Sequence, residues 1–209
     1  MSNTYEIIQR HHLRYRSLVI TTQPEIECVS VAVAKAHIRI DDAFTADDTA
    51  IAELIVNARY YVEASTSRSL INRQYRMRFD IFPAWDIELP RPPIVLNTVA
   101  VTYVPSDATF TPVAYTDFRT DADSIPAVIR PPWNGRWPSV RGAEGDVTIT
   151  WTAGYGTTAD SVPSPARHAM LMLVAYWYAN REAAAQGAIQ PVPMAVDHML
   201  GTINWGQYA

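Results

Sequence analysis

The chain has 209 residues, 48% of them hydrophobic, with 17 Lys and Arg against 21 Asp and Glu for a formal charge of −4. That composition suits a sizeable globular core and disfavours a general nucleic-acid binder, which is normally basic. Cys28 is the single cysteine, so an intrachain disulfide is excluded and a reducing compartment is expected; no run approaches the roughly 20 apolar residues of a membrane-spanning helix.

Residues 1–24 read as an N-terminal arm, locally basic through Arg10, His11, His12, Arg14 and Arg16. It lacks the apolar segment of a secretory signal, and "SLVIT" suggests a short strand within it. Such an arm either stays loose, pairs with a sheet edge or grips a neighbouring subunit. Ser30 then caps a short helix over 30–40. Thr45 opens a longer one over 45–67, with Asp47 and Asp48 in its first turn, where the macrodipole favours negative charge. Ile51, Leu54, Ile55, Ala58 and Val62 recur at helical spacing, and Glu53, Asn57, Arg59 and Glu63 make the other face look wet.

The period changes to two at "LINRQYRMRFDIF". Ile71, Tyr75, Met77, Phe79 and Ile81 alternate with polar residues, and only Arg73 breaks the apolar set. "WDIELP", "NTVAVTYV", "FTPVAYTDFRT" and "GDVTITWTAGYG" continue the pattern, the last with Val147, Ile149 and Trp151 on one face. Five to seven short antiparallel strands are therefore expected between 70 and 155. The proline- and glycine-rich loop 131–145 is too long and irregular for a hairpin tip, and Asn134-Gly135 marks a tight turn inside it.

A third helix begins at Ser164 as N-cap and Pro165 as N1 and runs to about 185, with Gly187 as a stop. The tail that follows, 191–209, is extended by Pro191 and Pro193. Val196, Met199, Leu200 and Ile203 then form one apolar stripe on a short helix. Together these elements predict an α+β fold: a small helical bundle of two N-terminal helices and one long C-terminal helix, with an inserted antiparallel β-lobe. Residues 25–190 form its single domain.

Chemical motifs are missing. No phosphate-binding glycine loop, nucleophile elbow or metal-ligand spacing occurs, and "GYG" at 154–156 reads as a strand released into a loop. The five histidines are scattered, and the aspartate pairs at 41–42 and 47–48 flank a helix start, so they read as caps and solvated charge. No catalytic residue, metal or cofactor is assigned. Trp133 and Trp137 suit loop packing, a subunit contact or, remotely, a sugar platform.

The informative feature is the third helix. Ala166, Ala169, Met170, Leu173, Tyr176 and Trp177 make one stripe, while Leu171, Met172, Val174, Ala175 and Tyr178 cover most of the rest. Leaving the four large members of the second set exposed forgoes about 6–12 kcal/mol at about 1.5–3 kcal/mol each. The meander and helix 45–67 are too few layers to cover all of this surface. Burial by other chains is therefore expected; the alternative is a central helix wrapped by its own sheet.

Four segments, in order, carry a resemblance. They are "VSVAVAKAHIRIDD", "DDTAIAELIVNARYYVEASTSRSLI", "YRMRFDIFPAWDIELPRPPI", and "VTITWTAGYG" followed by "VPSPARHAMLMLVAYWYANRE". Over 28–183 the chain resembles the head–tail connector (adaptor) proteins of long-tailed bacteriophages, prophages and gene transfer agents. It departs at Val33, where an acidic residue is common, and in its longer arm. The resemblance implies a homo-oligomeric ring, commonly dodecameric, beneath the portal protein in the neck of the virion, made in the bacterial host cytoplasm. Such a ring extends a channel for double-stranded DNA, without sequence-specific binding, and offers a platform to stopper and tail-completion proteins. It also implies that the C-terminal segment docks on the portal, here through Pro191, Pro193, Val196, Met199, Leu200, Ile203 and Trp205. Arg181, Glu182, Trp133 and Trp137 become candidates for contacts between subunits. No membrane is involved. Another virion or tail interaction module is the runner-up, and a carbohydrate-binding protein the remote one.

Overall fold

A computed structural model describes residues 15–84, 86–107, 111–180 and 194–203. It divides into two compact units, Met1–Gln23 with Arg73–Ala153, and Pro24–Asn72 with Gly154–Ala209. The fold is α+β, as the periodicities require.

The first unit holds strands β1 (Ser17–Thr22), β2 (Arg73–Phe79), β3 (Ile87–Leu89), β4 (Ala100–Tyr103), β5 (Val113–Tyr115), β6 (Arg119–Asp121), β7 (Ala127–Arg130) and β8 (Val147–Ala153). They form two antiparallel sheets, ordered β1-β2-β8-β4-β5 and β3-β7-β6. Strict alternation buries Tyr75, Met77 and Phe79 of β2 on the face shared by Val147, Ile149 and Trp151 of β8, as a half-buried pleat demands. Tyr75 lies opposite Trp151 in the register, and their rings stack at 5.6 Å. Arg73 also occupies a buried position, its guanidinium 5.7 Å from the Tyr75 ring centroid, so the alternation runs through the residue that interrupts it chemically. β7 is the strand that alternation does not reveal. Its Ala127, Val128 and Ile129 are all buried, a central position for which no period of two is expected.

The "SLVIT" stretch is β1, an edge strand held by β2. Arg16 beside it bridges to Asp80 at 3.3 Å and to Glu144 at 2.8 Å.

The second unit holds α1 (Val31–Ile38), α2 (Asp48–Thr66), a 3-10 turn (Ala159–Ser161), α3 (Ser164–Ala179) and α4 (Met194–Ile203). Ser30 caps α1 by accepting from the Val33 amide at 3.3 Å. Asp47, rather than Thr45, is the N-cap of α2, and Pro163, rather than Ser164, stands at the N-cap of α3. The Pro163 carbonyl accepts from both Ala166 and Arg167, so the helix gains its first bonds one residue earlier than the side-chain cap suggests. Residues 181–187, on which the expected extension to 185 and the Gly187 stop fall, lie outside the described residues.

Gly154 and Gly156 do more than release a strand. The Tyr155 amide donates to the Leu70 carbonyl, and the Gly156 carbonyl accepts from Asn72. A Cβ on Gly154, whose φ is +147°, would lie 2.4 Å from the Asn72 nitrogen. Only glycine permits that approach.

Candidate assembly surfaces

The helix that looks greasy on every side is covered largely by its own unit. Ala166, Ala169, Met170, Leu173 and Val174 of α3 are buried. Leu171, Met172, Trp177 and Tyr178 are half-buried and pack on the same core. The cover comes from α1, α2 and α4, each of which touches α3. Tyr61 of α2 meets Trp177 edge to face at 6.3 Å, and the Tyr178 hydroxyl donates to the Asp47 carboxylate.

The tail helix supplies the layer that sequence reasoning reserved for other chains. Val196, Leu200 and Ile203 are buried in the helical core, and Met199 packs against it. α3 and α4 touch, and the stripe of α4 lies in the same core as the buried residues of α3. Spacing of i, i+4 and i+7 marks an apolar stripe but not its partner. Met194, Ala195, Asp197, His198, Gly201 and Thr202 form the exposed part of α4. Pro191, Pro193 and Trp205, and likewise Arg181 and Glu182, lie outside the described residues.

The face of α2 read as wet is partly dry. Arg59 and Glu63 are both about 3% exposed. The Arg59 guanidinium donates to Glu27 at 2.8 and 3.1 Å and to Glu63 at 3.3 Å, and Glu63 accepts from the Leu70 amide at 2.9 Å. Burial acts against the Arg59 cation, but the carboxylates prevail and hold its pKa above the ordinary arginine value. The network ties the 24–29 segment and the exit of α2 to one side chain. The signal for it was the i,i+4 pairing of Arg59 with Glu63. Cys28 beside it is buried, which pushes its thiol up to about 12.

Trp133 and Trp137 have opposite fates. Trp137 stacks on Phe82 at 4.8 Å and packs with Tyr115, half-buried against the core of its lobe. Trp133 is 81% exposed. The Arg119 guanidinium lies 4.2 Å from its ring centroid, and Arg119 Nε donates to the Pro131 carbonyl at 3.0 Å. The Gly135 amide closes a turn onto Pro132 at 3.0 Å.

In the helical unit an apolar groove of about 620 Å³ runs between the 26–33 segment and α3, lined by Ile26, Val29, Val33 and Leu171. Ile26 and Val33 are exposed at its edges. Asp160 and Arg167 pair across 3.0 Å at the groove. No helix is long and apolar enough to cross a membrane, and no three metal-ligating side chains converge, both among the described residues.

No family model and no curated protein matches the chain. Solved structures do. A chain of the neck of an empty gene transfer agent particle, computed with C6 symmetry, superposes with a TM-score of 0.72 at 23% identity, covering 90% of this chain and 94% of that one. The chain has the fold of a gene transfer agent neck protein. A chain from the virion of a native gene transfer agent particle gives 0.69 at 24% identity, covering 88% and 93%. One from the neck of a native particle, computed with C12 symmetry, gives 0.53 at 24% identity, covering 86% and 94%.

Proposed function

We propose that this protein is a structural subunit of the neck of a phage-like virion, acting as the head–tail connector. In this reading, copies form a ring beneath the portal, extend the DNA channel and present a platform to the stopper and tail proteins. The observation that carries it is the superposition along nearly the whole of both chains with a neck protein of a symmetric particle. The conspicuous surfaces agree with it, since they are apolar and aromatic rather than catalytic. Portal attachment through α4 remains part of the proposal. With Val196, Leu200 and Ile203 occupied in the chain's own core, its direct contacts fall to the exposed face of α4, which includes Met194, Asp197 and His198, together with the flanking segments.

The test is genetic and microscopic. Disrupting the coding sequence in the source cell should leave DNA-filled heads without tails, and supplying the gene in trans should restore tails. Tailed, infectious or transducing particles made without the protein would refute the proposal. A pull-down with purified portal protein tests the attachment separately: Met194→Glu with His198→Glu should weaken capture at least tenfold without unfolding the chain.

A further inference from the structure

Trp133 is a side chain that the fold holds ready without covering it. Its loop leaves β7 at Arg130 and carries Pro131 and Pro132; Asn134 then adopts a left-handed conformation, φ 56°. At Gly135 a Cβ would lie 2.4 Å from the Pro132 ring. Arg119 closes one face of the indole and is itself tied to the Pro131 carbonyl. These restraints fix a large apolar ring that remains 81% exposed. Inside the chain the ordering brings little burial. At an interface it removes the entropy of immobilising an anchor, and tryptophan and arginine are the side chains most often dominant there.

The same chain carries a fitting hole. The groove of the helical unit is apolar at Val29, Val33 and Leu171 and holds about 620 Å³. Charge complements shape. Among the described residues, Arg119 and Arg136 beside the knob form no ion pair with a carboxylate. At the groove the acidic Glu25, Glu27 and Asp160 outnumber the basic Arg167, which pairs with Asp160 at 3.0 Å.

We infer that Trp133 of one copy inserts into the groove bounded by Val33 and Leu171 of the next copy. This inference rests on the ring-subunit reading and names the contact that joins its copies. A knob and a hole on different surfaces of one chain make a head-to-tail interface, the kind that propagates into a closed ring when the rotation permits.

Cross-linking between two singly labelled chains tests it. Cys28 is buried and its thiol is held protonated, so it is silent. A chain with Asn134→Cys is mixed with one carrying Val33→Cys and treated with a short bismaleimide. The contact predicts mixed dimers well above the yield of either variant alone. Trp133→Ala should weaken self-association at least thirtyfold by sedimentation, and Val33→Glu should do the same from the groove side, with circular dichroism unchanged for both. The indole emission of the wild type should shift to the blue on assembly, and that of Trp133→Phe should not. If the wild type assembles but the mixed cross-link is absent and Trp133→Ala assembles equally well, the contact is overturned while the ring reading stands. If the blue shift appears only on adding portal or tail protein, the occupant is another partner and the contact between copies is likewise overturned. A wild-type chain that neither self-associates nor cross-links in assembled particles overturns both.

Discussion

At the scale of the residue, the buried Arg59 is the strongest single dependence in the helical unit. Its two carboxylate partners offset its burial. Arg59→Met should therefore cost about 3–5 kcal/mol in urea unfolding, because the buried Glu63 and its neighbour Glu27 lose their cation. Adding Glu63→Leu should recover part of the loss. A second dependence lies in the β-lobe. Arg141 donates to both oxygens of the buried Asp146, and the Ala143 amide donates at 2.7 Å. The Arg141 hydrogen bond is the main cause holding the Asp146 carboxyl below its ordinary range, with burial opposing it. Because the folded value lies below the unfolded one, the pair stabilises the fold above about pH 4. That contribution fades as pH falls through the folded value. Asp146→Asn should lower stability at neutral pH and flatten the acid side of the stability–pH curve, as read from thermal midpoints between pH 2 and 7. The sequence offers only the i,i+4 spacing of Arg59 and Glu63 for the first network and no signal for the second. Arg59 and Glu63 sit in a helix whose polar face looks solvated, and Arg141 and Asp146 sit in a loop with no period to read.

At the scale of the element, α4 decides what α3 looks like to the outside. Its stripe of Val196, Leu200 and Ile203 completes the helical core. Leu200→Ala should thus destabilise the isolated chain by about 2–5 kcal/mol, the usual cost of truncating a buried leucine. Ending the chain at Asn180 should expose part of α3, seen as binding of a hydrophobic dye and loss of solubility. A tail that served only to dock on a partner would allow both changes at no cost to the free protein. The helices and most strands were legible because their periods are long and regular: 3.6 over α2 and two over β2 and β8. β7 was not, because four residues between prolines leave no room for a period and both of its faces are buried. The start of α1 at Ser30 was read correctly, whereas the caps of α2 and α3 are Asp47 and Pro163, neither making a side-chain cap bond.

At the scale of the whole molecule, each compact unit has its own hydrophobic cluster. Damage to one should therefore be felt mainly there. In native-state hydrogen exchange, Leu200→Ala should accelerate the amides of α2 and α3 while leaving those of β2 and β8 close to wild type. Uniform acceleration in both units would show that they unfold as one. The candidate site was legible only in part. Trp133 was singled out from the sequence, but its partner Trp137, of the same type and four residues away, packs inward on Phe82. Exposure depends on which side of a loop faces the sheet, and an irregular loop carries no repeat that encodes it. The groove beside Val33 is built from segments more than a hundred residues apart in sequence, 26–33 and 159–171, so no local pattern predicts it.

The sequence by itself determined the α+β class, the insertion of strands between helices, the strand exit at 154–156 and the absence of familiar catalytic spacings. These follow from periodicity and backbone sterics, which act over a few residues. Only the tertiary structure decided which apolar faces meet. The hydrophobic effect removes area from water without regard to whose area it is, so a stripe states that it must be covered and leaves open by what. Here α3 and α4 share one core, while the indole of Trp133 stays exposed among the described residues.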